Sequence, residues 1–175
     1  QIMCFFRSNL LTEMSILKKL ATIPFISKYM FNHFAPFQGA GIVIDKIDLK
    51  NYHIRVKMPL TRQNKNIVGV HFGGSLYAMV DPFYMSLLMH HLGNKYIVWD
   101  KAANIEFLTP GRSTVYADFR LNAEEIKTIK ELAHNFAPVY RNYEINILDE
   151  SGSRVAKVNK TLYIRRKKAH GSRFK

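Results

Sequence analysis

The sequence of 175 residues contains a single cysteine, Cys4, and few acidic residues. One cysteine excludes an internal disulfide framework and a structural zinc site built on cysteines. Since no disulfide is needed, a reducing cytoplasm is the expected compartment. The 13 Asp and Glu residues are outnumbered by 26 Lys and Arg residues, so the formal net charge is +13. This excess favours an anionic partner, such as a nucleic acid, an anionic membrane or a phosphate-bearing ligand.

The chain also lacks an apolar run of the length and purity that a membrane helix requires. Its most apolar stretch, Phe72–Met89, carries Asp81 and Pro82 near its centre. A spanning helix needs about 20 apolar residues and rarely places a carboxylate at mid-membrane. The first residues, Gln1–Leu11, have one basic residue and no small-residue cleavage site, so a secretory signal is not expected. We therefore predict a buried helix in place of a membrane span.

Hydrophobic residues make up 47% of the chain and aromatic residues 13%, which is enough for the core of one domain. Apolar residues at helical spacing predict a helix over Thr12–Phe34, interrupted at Pro24. This helix either packs on the sheet as a lid or lies on an anionic membrane surface. We divide the chain into an N-terminal helical extension (1–36), a main domain (37–165) and a basic tail (166–175).

Strand patterns dominate the main domain. Two strands form a hairpin before the apolar helix and four follow it: Gly41–Leu49 and Tyr52–Met58, then Tyr96–Leu108, Val115–Leu121, Val139–Leu148 and Arg154–Ile164. Tight turns join most of them, which predicts an antiparallel sheet with one face to bury. The helix predicted over Gly73–Leu92 is apolar on nearly all sides and can cover that face. The expected fold is α+β, a curved antiparallel sheet wrapped around a long central helix.

The segment that can carry chemistry runs from Asn66 to Asp81. A polar loop leads into Gly73 and Gly74 at the start of the predicted helix, and Asp81 follows seven residues after Gly74. Glycines let a ligand approach the backbone, and the first amides of a helix have no intrahelical acceptor, so they can polarise a carbonyl oxygen. A carboxylate at Asp81 can act as a nucleophile or activate water. Alternatively, Asp81-Pro82 marks a break in the helix.

The spacing of these residues resembles that of the hotdog-fold thioesterase superfamily. Its pattern is an Asn, a Gly three residues on, a His-Gly-Gly, and an acidic residue seven after the second Gly. Asn66, Gly69, Gly73, Gly74 and Asp81 occupy those positions. The chain resembles in particular the phenylacetate-pathway type of acyl-CoA thioesterase and a related branch of domains of unknown function. The resemblance covers roughly residues 37–164 and implies the hotdog fold.

The resemblance also implies roles for individual residues. Asp81 would be the nucleophile or general base, the Gly74 amide would polarise the thioester carbonyl, and Asn66 would position substrate or water. The substrate would be an acyl-CoA or acyl-carrier thioester, with coenzyme A as part of the substrate and neither a separate cofactor nor a metal. Hotdog active sites lie between subunits, so a homodimer or a dimer of dimers is implied. Asp81 of the partner subunit would then act on a thioester held at Gly73 and Gly74. The remaining expected substrate contacts are His71, Phe72, Gly73, Tyr77 and Arg112, the last near the coenzyme A phosphates.

One position departs from the pattern. Phe72 stands where the pattern has His, and His71 lies one residue earlier, which at a helix start turns the side chain by about 100 degrees. A non-catalytic acyl-binding protein of the same fold is therefore the alternative. A metal site at His90-His91 is not expected, because adjacent helical residues cannot chelate one ion together. Nucleic-acid binding by the basic stretch 165–168 is not expected either, because no zinc spacing or ribonucleoprotein motif accompanies it.

Overall fold

A six-stranded antiparallel sheet organises the protein. The computed structural model describes Tyr29 and residues 31–168. The strands are β1 (Val43–Asp48), β2 (His53–Met58), β3 (Tyr96–Phe107), β4 (Val115–Arg120), β5 (Val139–Asp149) and β6 (Arg154–Arg166). They lie in the order β1-β2-β4-β5-β6-β3, and every neighbouring pair is antiparallel. The predicted α+β architecture is therefore confirmed, with two strands before the central helical segment and four after it.

The central helical segment is interrupted. Four α-helices lie wholly within the described residues: α1 (Ala35–Ala40), α2 (Gly73–Ala78), α3 (Phe83–Leu92) and α4 (Ala123–Leu132). Together α2 and α3 form the predicted long central segment, but residues 79–82 leave the helix between them. The break falls at Asp81-Pro82, because proline has no N–H to donate to the preceding turn. The prediction of a helix break at this dipeptide is thus correct.

The central segment is buried against the inner face of the sheet. Phe83 and Leu87 of α3 have no exposed surface, and the Phe83 ring lies 5.0 Å from the Phe119 ring on β4. On β4, the buried residues Val115, Ala117 and Phe119 alternate with more exposed ones. Fully burying a side chain such as Phe contributes about 1.5–3 kcal/mol. The period-2 pattern of the sequence therefore marks the face of the sheet that the helices cover.

β3 lies at one edge of the sheet and is its least buried strand. Within the described part of the chain it pairs only with β6, and residues 101–104 are exposed on both faces. A bulge between Asp100 and Ala102 shifts the register of this pairing. An edge strand presents unpaired backbone N–H and C=O groups, which can pair with a strand of another chain.

Two predicted parts of the chain fall largely outside the described residues. Of the helix expected over Thr12–Phe34, the structure describes Tyr29 and residues 31–34, and of the basic tail it describes residues 166–168. The domain boundaries at residues 36 and 165 stay predictions. In the part of the chain that the structure describes, no helix has the length and apolar character needed to cross a membrane.

Candidate active site

Asp81 lies in the break between α2 and α3. Its side chain is 49% exposed, although Val80 and Phe83 on either side have no exposed surface. In an unbroken helix its backbone carbonyl would accept from the amide four residues later. At the break that carbonyl takes another donor, the side chain of Lys160. Asp81 thus places a carboxylate at an opening of an otherwise apolar core.

Lys160 was not among the residues predicted from the sequence, and it is the main partner of Asp81. It lies on β6, is fully buried, and its Nζ donates to the backbone carbonyl of Asp81. The same nitrogen lies 3.0 Å from Asp81 Oδ1 and 3.1 Å from Asp100 Oδ2. A lysine ammonium has three N–H donors, so each of them meets an oxygen acceptor here. Such full pairing is what allows a charged group to be buried.

Tyr77 contributes a second contact to the same carboxylate oxygen. Its hydroxyl, one helical turn before Asp81, donates to Asp81 Oδ1 over 3.2 Å. Burial and the neighbouring Asp81 charge raise the pKa of Tyr77, so the hydroxyl keeps the proton that it donates. The Lys160 ammonium also lies 5.9 Å from the centre of the Tyr77 ring, within cation–π reach. Tyr77, predicted as a substrate contact, is thus placed beside the predicted catalytic carboxylate.

Asp100 is the second carboxylate at this position. It lies on β3 beside the bulge, with Oδ2 bound to Lys160. Its Oδ1 is buried and has no hydrogen-bond partner among the described residues. Burial raises the pKa of the Asp100 carboxyl group; the Lys160 charge opposes this, and the Asp81 charge adds to it. We call Asp81, Tyr77, Asp100 and Lys160 the Asp81 cluster; with its three charged groups ionised it carries one net negative charge.

The glycine pair opens α2 between two phenylalanine rings. A Cβ atom added to Gly73 would lie 2.8 Å from the ring of Phe107, and one added to Gly74 would lie 2.5 Å from the ring of Phe72. A side chain at either position would therefore displace an aromatic ring. The amides of both glycines lie in the first turn, where no intrahelical acceptor exists for them. The pair thus presents backbone amides at a surface bordered by aromatic side chains.

Asn66 shapes the loop that leads to α2. Its Oδ1 accepts from the amides of Val68 and Val70, both over 3.1 Å, and its backbone carbonyl accepts from Gly69. Gly69 has a φ of +85°, a conformation that glycine adopts without strain. The structure therefore assigns Asn66 and Gly69 contacts that fold the loop, and it shows no contact of either with the Asp81 cluster in the described residues.

His71 and Phe72 face opposite environments. His71 is buried, and its Nε2 forms a 2.9 Å hydrogen bond with the carbonyl of Ser113. Burial lowers the pKa of His71, which favours the neutral ring. Its backbone amide donates to Gly111, so His71 joins this loop to the loop before β4. Phe72 is 56% exposed beside the glycine pair. The expected substrate contact at His71 is thus an inward side chain, whereas Phe72 lies at the surface.

Arg112 is exposed, and no contact in the described part of the chain links it to the Asp81 cluster.

Two surface grooves lie away from the Asp81 cluster. One, of about 580 Å³, is lined among others by Arg55, Asp118 and Glu144, and the other lies along α4. The described residues contain no group of three His, Cys, Asp or Glu side chains placed to bind a metal ion. The Asp81 cluster is therefore the strongest candidate for chemistry.

Lys160 could have been found from the strand pattern. The inward-facing positions of β6 around it are Val158 and Leu162, both fully buried. A lysine in the inward register of an alternating strand is unusual, because lysine is almost never fully buried without a partner. Asp100 carries a weaker signal, because the bulge in β3 interrupts the alternation around it.

A curved six-stranded antiparallel sheet against a central helical segment is the hotdog fold, and solved structures of that fold match the chain. A protein of unknown function from Pseudomonas aeruginosa, described as a probable thioesterase, has a TM-score of 0.74 at 19% identity, covering 81% of this chain and 95% of its own. A thioesterase from Haemophilus influenzae has a TM-score of 0.59 at 18% identity, with 81% and 91% covered. The PaaI protein of the E. coli phenylacetic acid degradation operon has a TM-score of 0.56 at 20% identity, also with 81% and 91% covered. At these identities the likeness establishes the fold.

The chain belongs to the family of the domain of unknown function DUF4442, whose sequence profile matches residues 24–164. No curated protein matches the sequence. The resemblance to hotdog-fold thioesterase-like proteins, including their branch of unknown function, is therefore confirmed at the level of fold and family.

Proposed function

We propose that this protein hydrolyses acyl-CoA-type thioesters, with the amides of Gly73 and Gly74 of one subunit as the site of the thioester carbonyl oxygen and Asp81 of the partner subunit as the catalytic carboxylate. One observation carries the proposal: Asp81 presents a half-exposed carboxylate from a buried segment, and a fully buried lysine binds it. Removing a lysine charge from water is costly, so this arrangement supports a chemical role for the carboxylate. The thioesterases among the proteins of the same fold support the class of substrate.

The contacts of Asp81 distinguish its two oxygens. Tyr77 and Lys160 both bind Oδ1, so Oδ2 is the oxygen assigned to the reaction. Oδ2 either attacks the thioester carbon or takes a proton from the water that attacks it. The glycine amides stabilise the negative charge that develops on the carbonyl oxygen. On the general-base route the hydroxide formed attacks the carbon, the carbon–sulfur bond breaks, and Asp81 returns its proton to the leaving thiolate. On the nucleophilic route the carbon–sulfur bond breaks to give a mixed anhydride of the acyl group with Asp81, and water then hydrolyses that anhydride to the carboxylic acid and the free Asp81 carboxylate while supplying the proton of the thiol.

A second copy of the chain completes the proposed site. Large apolar side chains near the glycine pair are exposed in the single chain: Ile67, Val68, Phe72, Phe107 and Leu108. Soluble monomers rarely expose a large continuous apolar patch, and β3, which carries Phe107, is an edge strand. Pairing of β3 with its copy would form a homodimer, or part of a dimer of dimers, and would cover Phe107 on that strand. The other exposed apolar side chains would then be available to line a slot for an acyl chain. Exposed Arg112 and the net charge of +13 suit the coenzyme A phosphates.

The alternative is an acyl-binding protein of the same fold that does not cleave its ligand. Phe72 favours it, because a phenylalanine stands where the thioesterase pattern has a histidine. Phenylalanine has no polar group to orient a water or a thioester. Both functions use the same apolar slot and the same glycine amides, and they differ only in whether Asp81 turns over the bound thioester.

The experiment is hydrolysis of a panel of short, long and aromatic acyl-CoA thioesters, with release of the free thiol as the readout. We expect Asp81→Asn to lower kcat by about 10²-fold or more, the contribution typical of a positioned acid or base. Glu150→Gln, at an exposed hairpin position, is the control for loss of a surface charge. An Asp81→Asn variant as active as the wild type would exclude Asp81 as the catalyst. Acyl-CoA binding by a wild type that hydrolyses nothing would establish the alternative.

A further inference from the structure

We infer that Lys160 is the positioning residue of the proposed active site, and that its ammonium holds the Asp81 carboxylate in the orientation that leaves Oδ2 free to react. This inference rests on the proposed hydrolase function of Asp81. Lys160 lies on β6, 79 residues from Asp81 in sequence, and outside the motif that runs from Asn66 to Asp81.

Lys160 binds Asp81 at two points. Its Nζ contacts the backbone carbonyl and also Oδ1 of the side chain. With both ends of the residue bound to one nitrogen, the rotation of the Asp81 side chain is restricted. Tyr77 contacts only Oδ1 and lies on α2, which ends before the break. Lys160 therefore supplies the contact from the sheet that fixes the carboxylate relative to the rest of the site.

The burial of Lys160 is not explained by packing or by the charge of Asp81. The inward neighbours on β6, Val158 and Leu162, show that apolar side chains fill this face. Asp81 is 49% exposed, so water could solvate its charge without a lysine. Water cannot hold the Asp81 side chain in one orientation, because solvent molecules rearrange with the side chain and do not restrict its rotamer. Two structural reasons for Lys160 remain: the charge of Asp100, which is 24% exposed, and the Asp81 backbone carbonyl, which has lost its helical donor at the break. The test separates both from the orientation of the Asp81 carboxylate.

Three variants separate positioning from charge balance. Lys160→Met keeps the length of the side chain and removes the ammonium, but it leaves two carboxylates without their cation. The double variant Lys160→Met/Asp100→Asn removes that excess charge and keeps the size of both side chains, so it avoids the cost of a buried charge without a partner. Asp100→Asn alone keeps an acceptor oxygen for Lys160, so the contact between Lys160 and Asp81 remains. Thermal unfolding of each variant reports folding separately from activity.

We expect the double variant to unfold near the wild-type temperature and to have a kcat about 10²-fold lower, the loss typical of a misplaced catalytic group. Its KM should change by less than about threefold, because substrate binding does not depend on the orientation of Asp81. Asp100→Asn should lose much less of kcat than either variant that lacks Lys160. Wild-type kcat in a folded double variant would overturn the inference and leave Lys160 a purely structural partner of Asp100 and of the Asp81 backbone carbonyl.

A crystal structure of the double variant decides the point without any substrate. We expect the Asp81 carboxylate in a different rotamer, or displaced by about 1 Å or more, the scale at which positioning errors affect rate. An Asp81 side chain unchanged in place would overturn the inference even if the variant were inactive. If the wild type hydrolyses none of the thioesters, the proposed function fails. The position of Asp81 in the crystal structure of the double variant would still show whether Lys160 orients the carboxylate.

Discussion

The ion pair between Glu125 and Arg141 should contribute measurably to stability, because it joins α4 to the sheet. Arg141 on β5 donates to Glu125 through Nε at 2.8 Å and Nη2 at 2.6 Å, and the Tyr143 hydroxyl donates to the same carboxylate at 2.7 Å. The Glu125 side chain is 16% exposed and that of Arg141 33%. We predict that Glu125→Gln, which keeps the size of the side chain, destabilises the protein.

The expected loss is about 2 kcal/mol. A hydrogen bond to a charged group contributes roughly 1.5–3 kcal/mol, and breaking a fully buried pair costs about 3–5 kcal/mol. Arg141 keeps part of its hydration because it is one-third exposed, which places the value near the lower end. In Glu125→Gln, the amide NH2 of glutamine replaces a carboxylate oxygen that accepted from Arg141, so one hydrogen bond between the two side chains is lost. A double-mutant cycle with Arg141→Met should give a coupling of about 1.5 kcal/mol, within the range for residues in contact.

Urea unfolding at pH 7 measures these values, since a shift of the midpoint at constant slope reports a change in stability. Burial would raise the pKa of Glu125, but the hydrogen bonds from Arg141 and Tyr143 outweigh it and hold that pKa below its usual value of 4.5. The stabilisation should therefore be complete above pH 4.5 and decline as the pH falls further, and Glu125→Gln should lack this acid-dependent part. A loss under about 0.5 kcal/mol, or a coupling near zero, would refute the reasoning because surface pairs give such values.

Two further predictions concern acid stability and assembly. Burial, aided by nearby positive charge, lowers the pKa of His91 from 6.5 to about 4. Between pH 6.5 and pH 4 the unfolded chain takes up a proton that the folded chain does not, so the free energy of unfolding should fall as the pH drops through this range. His91→Phe, which keeps an aromatic ring against Tyr52, should reduce that loss in urea unfolding at pH 5 relative to pH 7; an identical pH dependence in both proteins would contradict the assignment. Ala103→Lys, at an exposed position of β3, should shift the proposed homodimer toward monomer in light scattering, since a lysine on an edge strand opposes strand pairing. A variant with the wild-type mass would place the interface elsewhere.

Most of the fold could be predicted because its signals are local. The alternation of Val115, Ala117 and Phe119 marks one strand, and the turn at Asp149–Gly152 separates two others. Asp81 was open to two interpretations in the sequence, a reactive carboxylate or part of a helix break. The structure shows the break: α2 ends at Ala78, and Pro82 is the N-cap of α3. The bulge in β3 left no signal, because an inserted residue is recognised only by comparison with the partner strand.

The candidate site could be predicted only in part. Their spacing on one continuous segment made Asp81, Gly73 and Gly74 candidates, and their part in catalysis stays a prediction. Asn66 and His71 lie on the same segment, but their side chains are used to fold and anchor the loop. Which of these polar side chains faces a ligand depends on the direction of the loop. That direction is set in part by contacts of His71 with Gly111 and Ser113, which lie some 40 residues later in the loop before β4.

The sequence by itself determined the six strands, their order along the chain and the residues of the central helical motif, because hydrophobic periodicity and residue spacing act over a few residues. Only the tertiary structure decided that Lys160 and Asp100 join Asp81. The three residues lie on β6, on β3 and at the break between α2 and α3, and they meet because β6 lies beside β3 in the sheet that the helical segment covers. A buried charge needs its partners within about 4 Å, and that proximity is a property of packed strands that sequence separation does not encode.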